Sequence, residues 1–309
     1  MKSINKECYL NYPFGDCDNC EDITTRIECI QNSTGYCGCK RKLSENDRER
    51  TCELCGAIVC SECAIYDEDD NGDVYCKSCS DKYVETDKYD LIHGDCLEEL
   101  RLLSDKSIDL VIIDPPYEIK TMKGGWTIGK RKYKDEVSTM INGFSEEVLD
   151  LLCQKMKKIN IYIYCSKLQL PKLLNYFIDR KCNYEILTYH KTNPTPLCGN
   201  TYLPDTEYIV FAREKGVKIR GEYKTKFKYY TDKVNKGDKK KYNHPTCKPV
   251  PLLINHILNS SDENDVVLDC FMGSGSTGEA CVNTNRRFVG IELNKEYFKT
   301  AKQRLENIG

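Results

Sequence analysis

From about residue 84 to the C-terminus, short apolar runs alternate with stretches of helical period, and this alternation limits the fold more than any other feature of the chain. "YDLIHGD", "IDLVIID", "NIYIYCS", "YEILTYH", "TEYIVFA", "DVVLDCF" and "RFVGIEL" read as strands. "CLEELRLL", "SEEVLDLLCQKMKKI" with Ser145 as N-cap, "KLQLPKLLNYFIDR", "PVPLLINHILNSS", a short stretch from Ser276 and a terminal stretch from Asn294 read as helices. Strands linked through helices build parallel sheets. The expected class is therefore α/β, a doubly wound, mostly parallel sheet with ligands at the carboxyl ends of its strands.

The first 80 residues follow another logic. They hold 12 of the 20 cysteines, mostly as close pairs: Cys17/Cys20, Cys52/Cys55, Cys60/Cys63 and Cys76/Cys79 are each C-x2-C, and Cys37/Cys39 is C-x-C. Two thiolates at a tight turn grip one tetrahedral zinc ion, and two such pairs complete its shell. A disulfide scaffold is the alternative, but it suits a chain with a signal peptide, and "MKSINKECYLNYPFGDCDNC" has no apolar core of that kind. With no apolar run long enough for a bilayer, the expectation is a soluble protein of a bacterial or phage-like host cytoplasm without membrane contact. The eight cysteines from Cys96 to Cys281 are scattered singly and read as small apolar residues.

The segment from Cys37 to Tyr83 resembles cross-braced zinc modules of the FYVE and RING type. The resemblance implies one site of Cys37, Cys39, Cys60 and Cys63 and another of Cys52, Cys55, Cys76 and Cys79. Cys17 and Cys20, with Cys8 and Cys29 nearby, either form a third site or replace the C-x-C pair, giving two or three structural zinc ions. A lipid-reading motif is absent before the second pair, where "NDRERTCELC" stands. Residues 1–80 carry 9 Lys/Arg against 16 Asp/Glu, a formal −7, which is a poor phosphate clamp and suits a protein partner or packing on the rest of the chain. "SDKYVETDKYD" reads as the linker, dividing a cysteine-rich domain, residues 1–83, from a second domain, residues 84–309.

Two strand exits in the second domain carry chemistry. In "IDLVIIDPPYEIK" an apolar strand stops at Asp114 and is followed by Pro115, Pro116 and Tyr117; proline lacks the donor that sheet pairing needs, so Asp114 and Tyr117 stand at a rigid exit. In "VVLDCFMGSGSTGEACV" Gly273 and Gly275 let backbone approach a ligand closely, and the next strand ends at Glu292, where a carboxylate can accept from ribose hydroxyls. Taken singly, the glycines fit an ordinary turn and Glu292 a solvated strand end.

Together, Asp-Pro-Pro-Tyr and Phe-x-Gly-x-Gly resemble the amino-methyltransferases that act on exocyclic amines of DNA bases with S-adenosylmethionine. Because "DPPY" precedes "FMGSG", with "EYIVFARE" and "HPTCKP" between, residues 89–307 resemble the circularly permuted beta group of that family. The resemblance implies a Rossmann-like methyltransferase sheet and a flipped-out adenine as substrate. Asp114, Pro115, Pro116 and Tyr117 would be catalytic, with Tyr117 stacking on the base and Asp114 and the Pro115 carbonyl accepting from its amine. For the cofactor it implies Asp269, Phe271, Gly273 and Gly275, with Glu292 on the ribose and Asp95 near the adenine moiety. His244, Thr246 and Lys248 match "HPTxKP", the lysine near the methionine carboxylate, and Asp114 counts with the cofactor residues too. Phe271 could equally be core. In "YHKTNPTP", Lys191 and Asn193 are weaker candidates for the target pocket.

Residues 213–248 hold 13 Lys/Arg against 4 Asp/Glu, with aromatics interleaved, and are expected to touch double-stranded DNA; residues 213–243 occupy the place of the target-recognition region. "IKTMKGGWTIGKRKYK" is expected to form a loop over the flipped base. Cytosine N4 and RNA adenine N6 stay open as substrates. So do a zinc-dependent adaptor with an inactive methyltransferase half and the oligomeric state, a homodimer included.

Overall fold

The runs "LVII" at Leu110–Ile113 and "NIYIYC" at Asn160–Cys165 are buried at every position. Strands covered on both faces have that pattern, because neither side of the pleat meets water. The computed structural model describes residues 64–66, 74–76, 82–117, 143–194, 200, 202–242 and 247–308. The chain divides into two compact units, Met1–Tyr83 and Val84–Gly309.

In the first unit, strands β1 (Ala64–Tyr66) and β2 (Val74–Cys76) pair antiparallel. Apart from the backbone of Cys76 in β2, the proposed zinc ligands lie outside the described residues. Among the described residues no group of three or more His, Cys, Asp and Glu is placed to hold a metal ion.

The remaining strands are β3 (Tyr83–Glu85), β4 (Tyr89–His93), β5 (Leu110–Ile113), β6 (Asn160–Cys165), β7 (Asn183–Lys191), β8 (Thr206–Arg213), β9 (Tyr229–Asp232), β10 (Val266–Asp269) and β11 (Arg287–Glu292). They form one sheet in the order β3-β4-β11-β10-β5-β6-β8-β7-β9. The helices are α1 (Cys96–Leu102), α2 (Glu146–Lys155), α3 (Leu170–Asp179), α4 (Lys236–Lys241), α5 (Val250–Ser260), α6 (Ser276–Val282) and α7 (Lys295–Glu306). None of the described helices is long and apolar enough to cross a membrane.

The expected parallel sheet holds for β4, β11, β10, β5 and β6. It fails at β8, which runs antiparallel to both β6 and β7. Among the described residues no helix separates β7 from β8, and strands joined without a crossover helix return antiparallel. The sheet is therefore mixed. A further expectation is corrected: part of the supposed linker is strand, in β3 and the start of β4. Within residues 213–243, β9 pairs with β7 as the last strand of the sheet.

Local chemistry explains where the helices begin. Asp95 caps α1, its Oδ1 accepting from Leu97 N at 2.9 Å, and Asn294 caps α7 through Glu296 N at 2.9 Å. Ser145 stands at the cap position of α2, but its side chain makes no capping hydrogen bond. At the core, the Tyr162 ring lies stacked with both Phe211 and His256, at 4.2 Å between centroids in each case. Burial pushes His256 down to about 3, so this histidine is a neutral core residue.

Candidate active site

Parallel strands deliver their last residues to one end of the sheet. β5 ends just before Asp114, β10 ends at Asp269, β11 at Glu292, and Asp95 follows β4 by two residues. β8 runs the other way, so it brings its first residues, Thr206 and Glu207, to that same end; Cys165, the last residue of β6, is opposite Tyr208. A cleft of about 650 Å³ opens there, lined by Asp95, Asp114–Tyr117, Tyr164, Glu207, Lys248, Asp269, Phe271–Ser274 and Glu292 among others. Clefts of that size hold cofactor-sized ligands.

One wall is made of backbone. Gly273 has φ 53° and Gly275 φ 76°, both in the left-handed region that glycine adopts without a Cβ penalty. The turn is braced by carboxylates that accept from its own amides: Glu292 Oε2 from Gly273 N at 2.8 Å, and Asp269 Oδ1 from Phe271 N at 3.1 Å. Asp269 Oδ2 accepts from Thr277 Oγ1 at 2.6 Å. Burial outweighs these bonds and pushes Asp269 up to about 7, and burial raises Glu292 as well. Phe271 is half-buried in the cleft wall, edge-on to Phe144 at 6.1 Å.

The other wall is made of charged and aromatic side chains. The Tyr117 hydroxyl donates to Asp114 Oδ1 at 2.9 Å. The Lys248 ammonium, 9% exposed, bonds Asp114 Oδ2 and lies 3.2 Å from Glu207 Oε2; Glu207 Oε1 pairs with Lys191 at 2.5 Å. Charge alternates along this chain: Asp114, Lys248, Glu207, Lys191. Burial raises Asp114 more than Lys248 lowers it. For Glu207 the balance reverses, since the two ammoniums outweigh burial and hold it down at about 2. Lys248, penalised by burial, is raised by its two carboxylates. Tyr164 lies beneath, fully buried, with Lys248 4.9 Å from its ring centre and its hydroxyl without a hydrogen-bond partner.

The sequence-predicted residues divide accordingly. Asp95, Asp114, Pro115, Pro116, Tyr117, Lys248, Asp269, Phe271, Gly273 and Glu292 meet at the one cleft. Asp95 spends one carboxylate oxygen on capping α1. Gly275 shapes the turn behind the cleft, where a Cβ would come 3.0 Å from the Ala301 Cβ. Lys248 sits against Asp114 and Glu207, on the side-chain wall of the cleft: a buried ammonium takes the nearest anions. Lys191 reaches the cluster through Glu207, whereas Asn193 Oδ1 accepts from Val234 N at 2.6 Å and ties down the segment after β9. His244, Thr246 and the loop after Tyr117 lie outside the described residues.

Sequence reasoning missed two groups. Glu207 and Tyr164 looked like ordinary strand residues. Arg304, 2% exposed on α7, donates to Glu279 Oε2 at 2.5 Å and to Ser276 Oγ at 3.0 Å and lies 3.3 Å from Ser274 O, so it clasps the glycine turn from behind. No local pattern announces it.

Comparison with known proteins gives a consistent picture. A profile of N6/N4 methyltransferases, described as DNA methylase, matches residues 108–303. The chain is 30% identical over 247 residues to the type II methyltransferase M2.DpnII of Streptococcus pneumoniae, covering 72% of this chain and 92% of that protein. It is 29% identical to the DNA adenine methyltransferase YhdJ of Escherichia coli strain K12, over 70% of this chain and 82% of that one. Among solved structures, the M1.HpyAVI–SAM complex superposes with a TM-score of 0.54 at 27% identity, covering 70% of this chain and all of that one. The PvuII cytosine-N4-specific DNA methyltransferase, at 17% identity and a TM-score of 0.53, shares the fold. With the profile match spanning both strand exits that line the cleft, the chain belongs to the DNA methylase family of N6/N4 methyltransferases.

Proposed function

We propose that the protein transfers a methyl group from S-adenosylmethionine to the N6 amine of a flipped-out adenine in double-stranded DNA. The observation that carries this reading is the convergence of Asp114 and Tyr117 with the Gly273 turn and Glu292 on one cleft. Relatives named as type II methyltransferases and as a DNA adenine methyltransferase support it, as does the relative solved with SAM.

The residues present fit the cofactor. Gly273 leaves open a space that a side chain would crowd, Glu292 and Asp95 offer carboxylate oxygens for hydroxyl and amine donors, and Phe271 offers a ring. When bound, S-adenosylmethionine supplies an electrophilic methyl group on a sulfonium. The rest of the chemistry falls to the protein's own groups. Tyr117 presents an aromatic face to the extruded base, and Asp114 with the Pro115 carbonyl accepts from its amine hydrogens, which draws the nitrogen lone pair out of conjugation with the ring. The two prolines hold this geometry, and in-line displacement is sensitive to small misplacement. The basic stretch of residues 213–248 supplies phosphate contacts.

For residues 1–83 the cysteine spacing supports structural zinc, two ions in the cross-braced arrangement, and the acidic balance supports a protein partner. Thiolate sites supply folding energy outright, so chelation should unfold this unit and leave the sheet of the second intact; metal content by mass spectrometry below two ions per chain removes the cross-brace.

The function is tested by labelled methyl transfer to duplex DNA, single-stranded DNA and RNA, followed by nucleoside analysis. N6-methyladenine formed on duplex DNA is the expected product. N4-methylcytosine, transfer confined to RNA, or no transfer at all would each replace this reading.

A further inference from the structure

Both oxygens of Asp114 are engaged, Oδ1 by the Tyr117 hydroxyl and Oδ2 by the Lys248 ammonium. Yet the proposed reaction, on which this inference rests, needs Asp114 to accept from the substrate amine. Lys248 must therefore yield an oxygen, and a buried ammonium cannot be left without a counter-charge. A second carboxylate stands ready: Glu207 Oε2 lies 3.2 Å from the same nitrogen. Its other oxygen is held at 2.5 Å by Lys191, while the buried Oε2 has no hydrogen-bond partner of its own among the described residues and is available to the ammonium.

We infer that Glu207 is a positioning residue, the alternative seat for the Lys248 ammonium, which frees Asp114 Oδ2 for the substrate amine. Moving the ammonium between two carboxylates that already flank it keeps the charge paired throughout. Lys191 sets how strongly Glu207 competes: while it occupies Oε1, Glu207 shares Lys248 with Asp114 and does not take it outright.

The charged and titratable groups facing this chain come from every neighbouring element. They are Tyr117 after β5, Tyr164 and Cys165 on β6, Tyr189 and Lys191 on β7, Lys239 on α4, Cys247, and Asp269 on β10. Burial pushes the tyrosines and cysteines up, so they stay neutral, and Glu207 stays an anion down to about 2. Asp114 and Asp269 are left to titrate on the acid side. The charges that raise Asp269 are Asp114 and Glu292, so a Glu207 substitution reaches it only through Asp114.

The test is the pH profile of single-turnover methyl transfer by the full chain, with cofactor affinity measured by calorimetry. In Glu207→Gln, Asp114 loses a neighbouring anion and becomes the sole seat for Lys248, so it is harder to protonate and harder to release. The rate should fall at least tenfold, cofactor affinity should stay within about threefold, and the acid limb should move to lower pH. Glu207→Asp should restore part of the rate. Lys191→Met frees Glu207 to draw Lys248 away and removes a cation, so its acid limb should move to higher pH. An acid limb in Glu207→Gln that stays put or rises overturns the inference, as does a loss of cofactor affinity matching the loss of rate. If that variant melts below assay temperature, Lys191→Met decides alone: a limb that does not rise overturns it. Wild-type inactivity on DNA would instead sink the proposed function, whereas an active wild type with unshifted variants sinks only the role of Glu207.

Discussion

The two walls of the cleft are built on opposite plans. At the β10 exit the contact surface is backbone, turned by Gly273 and Gly275 and braced by Asp269, Glu292 and Arg304 from within a span of 36 residues, Asp269 to Arg304. At the β5 exit the surface is side chain, and its ion pairs join Asp114 to Lys191, Glu207 and Lys248, residues 77 to 134 positions away. A turn that braces itself can be read from one stretch of sequence. A charge network assembled from four separate segments cannot, and substitutions in it should fall on the reaction rather than on stability.

The largest effect should come from the side-chain wall. Asp114→Asn keeps the shape but removes the anion and turns one of two accepting oxygens into a donor, and the loss of a positioned catalytic group is worth roughly 10²–10⁴ in rate. Lys248 retains Glu207 as its partner, so folding and cofactor affinity should change little. Turnover near the wild-type rate would dissolve the comparison, because the wall would then be scaffolding.

The backbone wall should break through stability. Arg304→Met removes a buried guanidinium and strands Glu279, whose side chain is 22% exposed, at a cost near the low end of the roughly 3–5 kcal/mol seen for broken buried pairs. Ser274 and Ser276 lose their anchor with it, so cofactor affinity and melting temperature should fall together. Separation of the two, with affinity lost and melting unchanged, would mean that the arginine serves the ligand directly.

What was legible in the sequence follows the same division. "FMGSGS" between a strand and a helix, "DPPY" after an apolar strand, and Glu292 at a strand end each carry their signal within a dozen residues, and each lines the cleft. Glu207 was missed because of direction. Read into a mostly parallel sheet, the first residue pair of "TEYIVFA" falls at the amino end, away from any ligand; β8 is antiparallel, so the same residues arrive at the carboxyl end. The signal was present in the sequence, which offers no stretch of helical period between "YEILTYH" and "TEYIVFA". Lys248 was recognised by its motif, but its partners depend on that strand direction and were not.

Asp269 offers a test of intermediate size through pH. Its carboxyl is raised from 3.8 to about 7 in the fold, chiefly by burial. A raised acid pKa means that the folded state binds the proton more tightly, so this group's contribution is fully present below the unfolded value and is lost as pH rises through about 7. That loss is on the order of 2–4 kcal/mol. Without cofactor, the wild type should therefore melt lower at pH 8 than at pH 5, and Asp269→Asn should lose markedly less between the two. Parallel pH trends in both proteins would assign the dependence to other groups.

The smallest effect should separate the two glycines of the backbone wall. Gly275, at φ 76° and ψ 25°, is the N-cap of α6 and lies behind the cleft. An alanine there meets the left-handed penalty of about 1–2 kcal/mol, and its Cβ would stand 3.0 Å from the Ala301 Cβ, so α7 must give by a few tenths of an ångström. Gly275→Ala should then cost about 1–3 kcal/mol in stability with cofactor affinity nearly unchanged. Gly273, at φ 53°, lines the cleft and donates to Glu292, so Gly273→Ala meets the same backbone penalty but adds a methyl group at the ligand surface. Calorimetry on both variants should show affinity lost only for Gly273→Ala. Equal losses of affinity would mean that the turn acts as a single unit, and that backbone shape at the β10 exit is as cooperative as the charge network at the β5 exit.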